Sequence, residues 1–256
     1  MRLALASALP LLAVAAVAAE ISPEERRSGY EFAAPETRAM EDDDAANPGM
    51  LWVLQGASLW DAAAGAAARS CADCHGDARI SMMGVAARYP AFDPVLARPL
   101  DLEQRINRCR TEHQNAEPLA WESPDLLALA AFVARQSRGL PIAAGGNQEL
   151  QPASELGKQL FRRRAGQLNL SCSQCHDDNW GKRLAGNVIP QGHPTGYPLY
   201  RLEWQGLGSL QRRLRNCMTG VRAEPHPNDA SEIVNLELFL AWRARGLPID
   251  TPAVRP

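Results

Sequence analysis

Two stretches of the same kind decide the fold, Cys71-Ala72-Asp73-Cys74-His75 and Cys172-Ser173-Gln174-Cys175-His176. Each is a C-x-x-C-H motif, the attachment pattern of c-type haem. Two thiols about one helical turn apart reach the two vinyl groups of one porphyrin, and the adjoining His ligates the iron. A thioredoxin-like pair, half a zinc site or two disulfides would also explain a lone C-x-x-C, but the repeated His favours haem. The motifs predict two covalently bound c-type haems, held by Cys71, Cys74, Cys172 and Cys175 and ligated by His75 and His176.

An internal repeat surrounds the two motifs. The matching pairs are Gly56 with Gly157, Leu59 with Leu160, Trp60 with Phe161, Arg105 with Arg213, Cys109 with Cys217, and Gly139-Leu140-Pro141-Ile142 with Gly246-Leu247-Pro248-Ile249. The spacing is 101 positions at the motifs and 108 at the lone cysteines, so the second half carries about seven extra residues between them. Duplication explains this pattern. It predicts two tandem cytochrome c-like domains, residues 51–145 and 146–256, joined by a glycine-rich linker at 143–147.

Both halves show the signals of a mainly α protein. Ser123 and Pro124 form a helix start, with the apolar residues that follow at helical spacing, and residues 229–245 repeat this pattern. A further helix is predicted over residues 207–218, and no strand-like alternation of useful length is present.

Composition and the N-terminus bear on compartment and partners. The formal net charge of -2 gives no argument for nucleic-acid binding. Residues 1–19 read as a signal peptide with a cleavage site at Val17-Ala18-Ala19, which favours export to the periplasm over a retained membrane anchor. Residues 20–50 are predicted to form a polar arm, in which Glu41-Asp42-Asp43-Asp44 would be solvated or contact a partner. No later stretch could span a membrane.

The two cysteines outside the motifs are candidates for the second axial ligand of each haem. Cys109 and Cys217 follow their motifs at equivalent positions of the repeat. A thiolate ligand lowers the reduction potential of a haem and suits a site where sulfur reacts. A disulfide between them is the first alternative. Ligation by a Met or His is the second, and the candidates are Met82, Met83, Met218, His113, His193 and His226.

Arg213 lies four residues before Cys217, on the same face of the predicted helix. A guanidinium offers a planar fork of donors to an oxyanion and lowers the pKa of a nearby thiol. Arg105 occupies the same place before Cys109, so pairing with a haem propionate in each half remains a second interpretation. Arg212 and Arg215 fit a solvated basic face equally well.

The residues around Cys217 resemble those of the SoxA family, the larger subunits of the SoxAX cytochromes of thiosulfate oxidation. The resemblance rests on the run from Cys172 to Arg183, on residues 196–205 and on Arg213 to Pro225. The first half agrees at residues 109–112, 116–118 and 123–127. Some members of this family lack the first haem, but both motifs are intact in this chain.

The resemblance implies an L-cysteine S-thiosulfotransferase. Such an enzyme joins thiosulfate oxidatively to a cysteine of a SoxYZ-type carrier, with a small SoxX-type cytochrome as its partner, and electrons pass to a downstream cytochrome c. It also implies the site residues. Cys217 would be a persulfide and the reacting group, Arg213 would bind the substrate, and His75 with Cys109 and His176 with Cys217 would be the axial pairs. The first haem would lie far from the reaction. Rival interpretations are a dihaem thiosulfate dehydrogenase that forms tetrathionate, a plain dihaem electron carrier and a dihaem peroxidase.

Overall fold

The computed structural model describes residues 20–256, so the predicted signal peptide at 1–19 lies outside the described residues. The helices are α1 (Pro35–Asp42), α2 (Met50–Asp61), α3 (Cys71–His75), α4 (Ala78–Ser81), α5 (Leu102–His113), α6 (Pro124–Arg135), α7 (Gln151–Arg162), α8 (Cys172–His176), α9 (Leu210–Gly220) and α10 (Ser231–Arg243). The strands are β1 (Ala91–Asp93), β2 (Arg98–Leu100), β3 (Arg183–Leu184), β4 (Asn187–Val188), β5 (Leu199–Arg201), β6 (Gly206–Gly208) and β7 (Val254–Arg255). The predicted mainly α fold is confirmed. No helix among residues 20–256 combines the length and the apolar character needed to cross a membrane.

One helix crossing recurs in both halves and forms their scaffold. Helix α2 packs against α6, and α7 packs against α10 in the same way. Each crossing depends on a glycine, because a Cβ on Gly56 would collide with the carbonyl oxygen of Ala128, and one on Gly157 with that of Asn235. The helix backbones therefore touch directly at equivalent points.

The two halves meet along a short seam with internal two-fold symmetry. The segments 139–142 and 246–249 run antiparallel, with Pro141 facing Pro248, its own counterpart in the repeat. The backbone hydrogen bonds come in symmetric pairs. Gly139 N donates to Ile249 O and Gly246 N to Ile142 O, at 2.8 and 3.0 Å. The predicted duplication thus appears as two similar domains that face each other like the subunits of a dimer.

A small cavity of ≈ 100 Å³ lies beside this seam, between the domains. Three carboxylates line it, Asp101, Glu103 and Glu237. Gln211 Nε2 donates to Asp101 Oδ2 at 2.8 Å and links α9 of the second domain to the first. Burial first, and then mutual repulsion within the group, raises the pKa of Glu103 and of Glu237.

Each half also contains a short hairpin that the sequence patterns did not reveal. Strands β1 and β2 pair antiparallel, and β5 and β6 pair in the same register 108 positions later. A cis Tyr–Pro bond precedes each hairpin, at Tyr89-Pro90 and Tyr197-Pro198. The strands have three residues each, too few to show an alternating pattern. Leu207 belongs to β6, so the predicted helix begins later than expected, with Ser209 as its N-cap.

The N-terminal segment corrects one prediction. Glu41 is only 1% exposed, so the acidic run at 41–44 is not uniformly solvated. The carboxylate of Glu41 accepts hydrogen bonds from the Arg255 guanidinium and from the backbone N–H of Val254, at the C-terminal strand. Asp44 pairs with Arg135 at 2.5 Å. Charge pairing with distant arginines, invisible in the local sequence, holds this segment on the folded domains.

Candidate functional site

Each C-x-x-C-H motif forms a single helical turn that begins with a capping box. Ser70 caps α3 through the backbone N–H of Asp73, and Ser171 caps α8 through that of Gln174. These caps satisfy N–H groups at the start of helices too short to be stable alone. The motif cysteines are therefore held one turn apart, as covalent attachment to a porphyrin requires.

The two lone cysteines face their own motifs rather than each other. Cys109 and Cys217 are not bonded to each other in the structure, which argues against the disulfide alternative. Cys217 lies near Cys172 and Cys175. Burial and then the charge of Cys217 raise the pKa of both thiols, and that of Cys172 reaches about 12. Cys109 stands in the same relation to Cys71, whose pKa burial and the Cys109 charge raise. The structure thus places each lone cysteine near the thiols of its own motif, while axial ligation by Cys109 and Cys217 stays a prediction.

The two histidines differ in how they are held. His176 is half-buried, and its Nδ1 lies 2.6 Å from the carbonyl oxygen of Pro190. A hydrogen bond donated from Nδ1 leaves Nε2 free to bind a metal and fixes the plane of the ring. Gly192 packs on the same ring, with its Cβ position 3.1 Å from His176 Cγ. Burial lowers the pKa of His176 to about 4, so the imidazole is neutral and ready to ligate.

In the first half His75 is exposed and rests on Trp60, with ring centroids 5.7 Å apart. The difference comes from the segment after the second motif, which contains the extra residues of the second half. That segment forms the β3–β4 hairpin and returns through Pro190 to the histidine. The insertion therefore has a structural role at the second site.

Buried contacts fix this inserted segment on the second domain. Asp177 pairs with the Arg243 guanidinium of α10, and Arg243 also donates to Gln191 O at 3.2 Å. The side chain of Gln191 exchanges hydrogen bonds with the backbone of residues 25 and 27 near the N-terminus. His193, an alternative ligand in the sequence, is instead 7% exposed with Nδ1 2.8 Å from Arg27 O. His193 thus links the inserted segment to the backbone near the N-terminus.

Arg213 lies beside Cys217 as the helical spacing predicts. Burial opposes the charge of this guanidinium, but the neighbouring Cys217 and Tyr197 raise its pKa, so it stays fully charged. Within residues 20–256, no Asp or Glu carboxylate lies within ion-pair distance of it. Tyr197 is close to both Arg213 and Cys217, and burial raises its pKa to about 12. A half-buried cation beside a thiol can receive an anion there.

Sequence reasoning did not identify Tyr197, Pro190 or Arg243 as parts of the site. The Tyr–Pro pair recurs in the repeat and could have been found by that signal. Pro190 acts through its backbone oxygen, which leaves no trace in residue type. The two ambiguous arginines serve other contacts, since Arg212 stacks on Trp204 at 4.2 Å and Arg215 donates to a backbone oxygen.

The residues fit a covalent haem in each half. Each motif offers two reduced thiols on one helical turn, a histidine, and a lone cysteine near those thiols. Within residues 20–256, no cluster of three or more His, Cys, Asp or Glu side chains could bind a metal ion directly, so nothing completes a zinc site. The fold and the motifs together define a c-type cytochrome.

Comparison with known proteins narrows this class. The sequence model described as "SoxA/TsdA, cytochrome c domain" matches residues 55–142 and 156–249. The L-cysteine S-thiosulfotransferase subunit SoxA of Pseudaminobacter salicylatoxidans is 41% identical over 91% of this chain and 82% of its own. The L-cysteine S-thiosulfotransferase subunit SoxA of Rhodovulum sulfidophilum is 35% identical over 91% of this chain and 81% of its own. The crystal structure of SoxXA from P. pantotrophus superposes with a TM-score of 0.87, at 33% identity, over 90% of this chain and 87% of that one. The chain belongs to the SoxA family of cytochromes c.

Proposed function

We propose that this protein is the catalytic subunit of an L-cysteine S-thiosulfotransferase. It would join thiosulfate to a cysteine of a SoxYZ-type carrier protein. The balanced reaction is R–SH + S₂O₃²⁻ → R–S–S–SO₃⁻ + H⁺ + 2 e⁻, where R is the carrier. One S–S bond forms, the two sulfur atoms are oxidised together by two electrons, and two molecules of oxidised cytochrome c accept these electrons.

One observation carries the proposal: α9 presents Arg213 and Cys217 on the same face, beside the attachment thiols Cys172 and Cys175. Joining two sulfur species requires a cation for the incoming anion, a reactive sulfur and an outlet for electrons. The names of the relatives agree with this chemistry.

Each residue has a role in this proposal. Cys217 carries a persulfide and is the reacting sulfur, and Arg213 binds the sulfonate end of thiosulfate through its planar fork. Haem, when attached at Cys172 and Cys175, supplies the route by which electrons leave. The Pro190 carbonyl fixes the ring of His176, so that Nε2 keeps one direction.

The proposal extends to cofactors, partners and compartment. Two covalent haems would be present, with His75 and Cys109 ligating the first and His176 and Cys217 the second. The matching solved structure is a SoxXA complex, which supports a heterodimer with a SoxX-type cytochrome. Export of the chain by the predicted signal peptide would place the complex in the periplasm, where disulfide and covalent haem chemistry occur.

The test uses the haem-loaded protein with its small cytochrome partner. We expect thiosulfate, carrier and oxidised cytochrome c to give a carrier whose mass rises by one thiosulfonate group, with two cytochromes reduced for each group added. Intact mass of the native protein should show one additional sulfur on the peptide that contains Cys217, lost on treatment with a thiol reductant.

Two other results would replace this function. Tetrathionate formed without any carrier would identify a thiosulfate dehydrogenase. Reduction and oxidation of the haems without any product from thiosulfate, with unmodified Cys217, would leave a plain electron carrier.

A further inference from the structure

The two domains differ in charge sign at one equivalent position of their hairpins. Asp93 ends β1 and Arg201 ends β5, and both hairpins have the same register, since Asp93 pairs with Arg98 and Arg201 with Gly206. The following turns also match, with a positive φ of 51° at Ala97 and 49° at Gln205. Asp93 and Arg201 therefore occupy the same place in two copies of one structure.

In the first domain this position neutralises the arginine that precedes the lone cysteine. Asp93 is 2% exposed, and its Oδ2 lies 2.6 Å from Arg105 and 2.5 Å from Arg108. These guanidiniums and the backbone N–H of Leu96 lower the pKa of Asp93 despite its burial. The cation beside Cys109 thus already holds an anion that belongs to the protein.

In the second domain the same place holds a second cation. Arg201 is 8% exposed, and its Nε is buried without a hydrogen-bond partner among residues 20–256. Its Nη2 lies 2.9 Å from the exposed carboxylate of Glu203, and the guanidinium lies over the Trp204 ring at 5.2 Å. Asn216 takes the place of Arg108, so the second domain has no counterpart of the second arginine that binds Asp93.

A buried guanidinium near a half-buried one is unfavourable unless an anion lies with them. Burial and the charge of Arg213 both lower the pKa of Arg201. Arg201 and Arg213 also both act on the same tyrosine, Tyr197. The buried carboxylate that Asp93 supplies in the first domain is therefore missing in the second, where only the exposed Glu203 pairs with Arg201, near the cysteine that the proposed reaction uses.

We infer that Arg201 is the second guanidinium of the substrate site, and that with Arg213 it selects a doubly charged sulfur oxyanion. This inference rests on the proposed function and adds a specificity-determining residue to it. On the same inference the first domain takes no substrate, because Asp93 occupies the cations there. A doubly charged anion can pair with both guanidiniums, whereas a singly charged anion has charge to balance only one of them.

The direct test measures binding rather than turnover. Equilibrium dialysis of labelled thiosulfate is performed with the haem-loaded protein and its small cytochrome partner. We expect Arg201→Gln to raise the dissociation constant about tenfold or more, with haem content and the visible spectrum unchanged. Chloride should compete much less effectively than sulfate in the wild type, and this preference for the dianion should shrink in the variant.

Two further variants exclude trivial explanations. Glu203→Gln removes the exposed carboxylate that competes for Arg201, and it should tighten thiosulfate binding by about two- to threefold, a gain that damage to the fold cannot produce. Arg164→Gln changes an exposed arginine of the same domain and should leave binding unchanged.

Each outcome decides between the two levels of the proposal. If Arg201→Gln binds thiosulfate with the same dissociation constant as the wild type, the inference is overturned, even if transfer to the carrier is confirmed. Loss of haem or a shifted spectrum of the second haem in Arg201→Gln, at unchanged thiosulfate affinity, assigns Arg201 to a propionate instead. Binding that depends on Arg201 in a protein that transfers nothing to the carrier supports the inference and refutes the function. A wild type that binds no thiosulfate overturns both.

Discussion

The first and second domains share a helix crossing and a matching hairpin, and they differ in the groups around the motif histidine and the lone cysteine. The α2–α6 and α7–α10 crossings, the β1–β2 and β5–β6 hairpins and the motif turns are equivalent, while the β3–β4 hairpin belongs to the second domain alone. The second domain alone anchors its motif histidine through a backbone carbonyl, and it replaces Asp93 by Arg201. The comparison teaches that the surroundings of an equivalent histidine and cysteine can change through an inserted segment and an inversion of charge without a change of fold.

The largest expected difference between the domains is in catalysis. Cys217→Ala should reduce transfer of thiosulfate to the carrier by about a thousandfold or more, because it removes the proposed reacting sulfur. Cys109→Ala should alter the spectrum of one haem and reduce the transfer rate by less than about tenfold. The rate of carrier modification, followed by intact mass, is the measurement. Comparable losses in both variants would break the functional contrast between the domains.

The next prediction sharpens the structural likeness of the domains. Gly56→Ala and Gly157→Ala each force a methyl group against a backbone carbonyl, so each should lower the free energy of unfolding by about 1–3 kcal/mol. Chemical denaturation of the haem-loaded protein measures this. Gly146→Ala is the control, because the Cβ position of Gly146 is nearly open. Gly181 also has open space there, but its positive φ of 80° would add backbone strain. A large effect at only one crossing would show that the scaffolds are not equivalent.

Gly192→Ala tests the anchoring of the second histidine. Gly192 has a φ of 75° and touches the ring of His176, so an alanine is strained and displaces the ring. We expect a loss of about 1–2 kcal/mol in stability and a changed reduction potential of the second haem alone. Potentiometry that resolves the two haems is the measurement. Gly84→Ala, also at positive φ but with no neighbour nearer than Leu140 at 3.5 Å, is the control for strain alone. An unchanged second potential would contradict an anchoring role for this segment.

The smallest expected effect concerns the carboxylates between the domains. Burial raises the pKa of Asp101 to about 7, so the folded protein retains a proton that the unfolded chain has lost above its ordinary carboxyl pKa. The contribution of Asp101 to the free energy of unfolding should therefore be largest below about pH 4 and should be lost as the pH rises through about 7. The decrease is about 1 kcal/mol per pH unit between pH 6 and 7.

Denaturation at several pH values measures this slope, and Glu103→Gln should flatten it because the variant removes a second cavity carboxyl group whose pKa burial raises. An identical slope in wild type and variant would assign the pH dependence to groups outside the cavity.

Residue spacing predicted the parts of the protein that depend on local sequence. The motif turns, the cap at Ser123 and the approach of Cys217 to its motif follow from helical periodicity and from the repeat. The hairpins did not, because three-residue strands have no period. The burial of Glu41 did not either, because its partner Arg255 lies at the other end of the chain. The function of Pro190 depends on backbone position alone.

The antiparallel seam at Pro141 and Pro248 has a consequence for how the two domains could diverge. In a pair of identical chains related by a two-fold axis, one gene specifies both clefts, and every substitution appears twice. Covalent linkage of the copies removes that constraint while the seam keeps their mutual orientation. A fused chain, unlike a pair of identical chains, can hold an aspartate at position 93 and an arginine at position 201 at once. The asymmetry of charge thus depends on the linker as much as on the pocket.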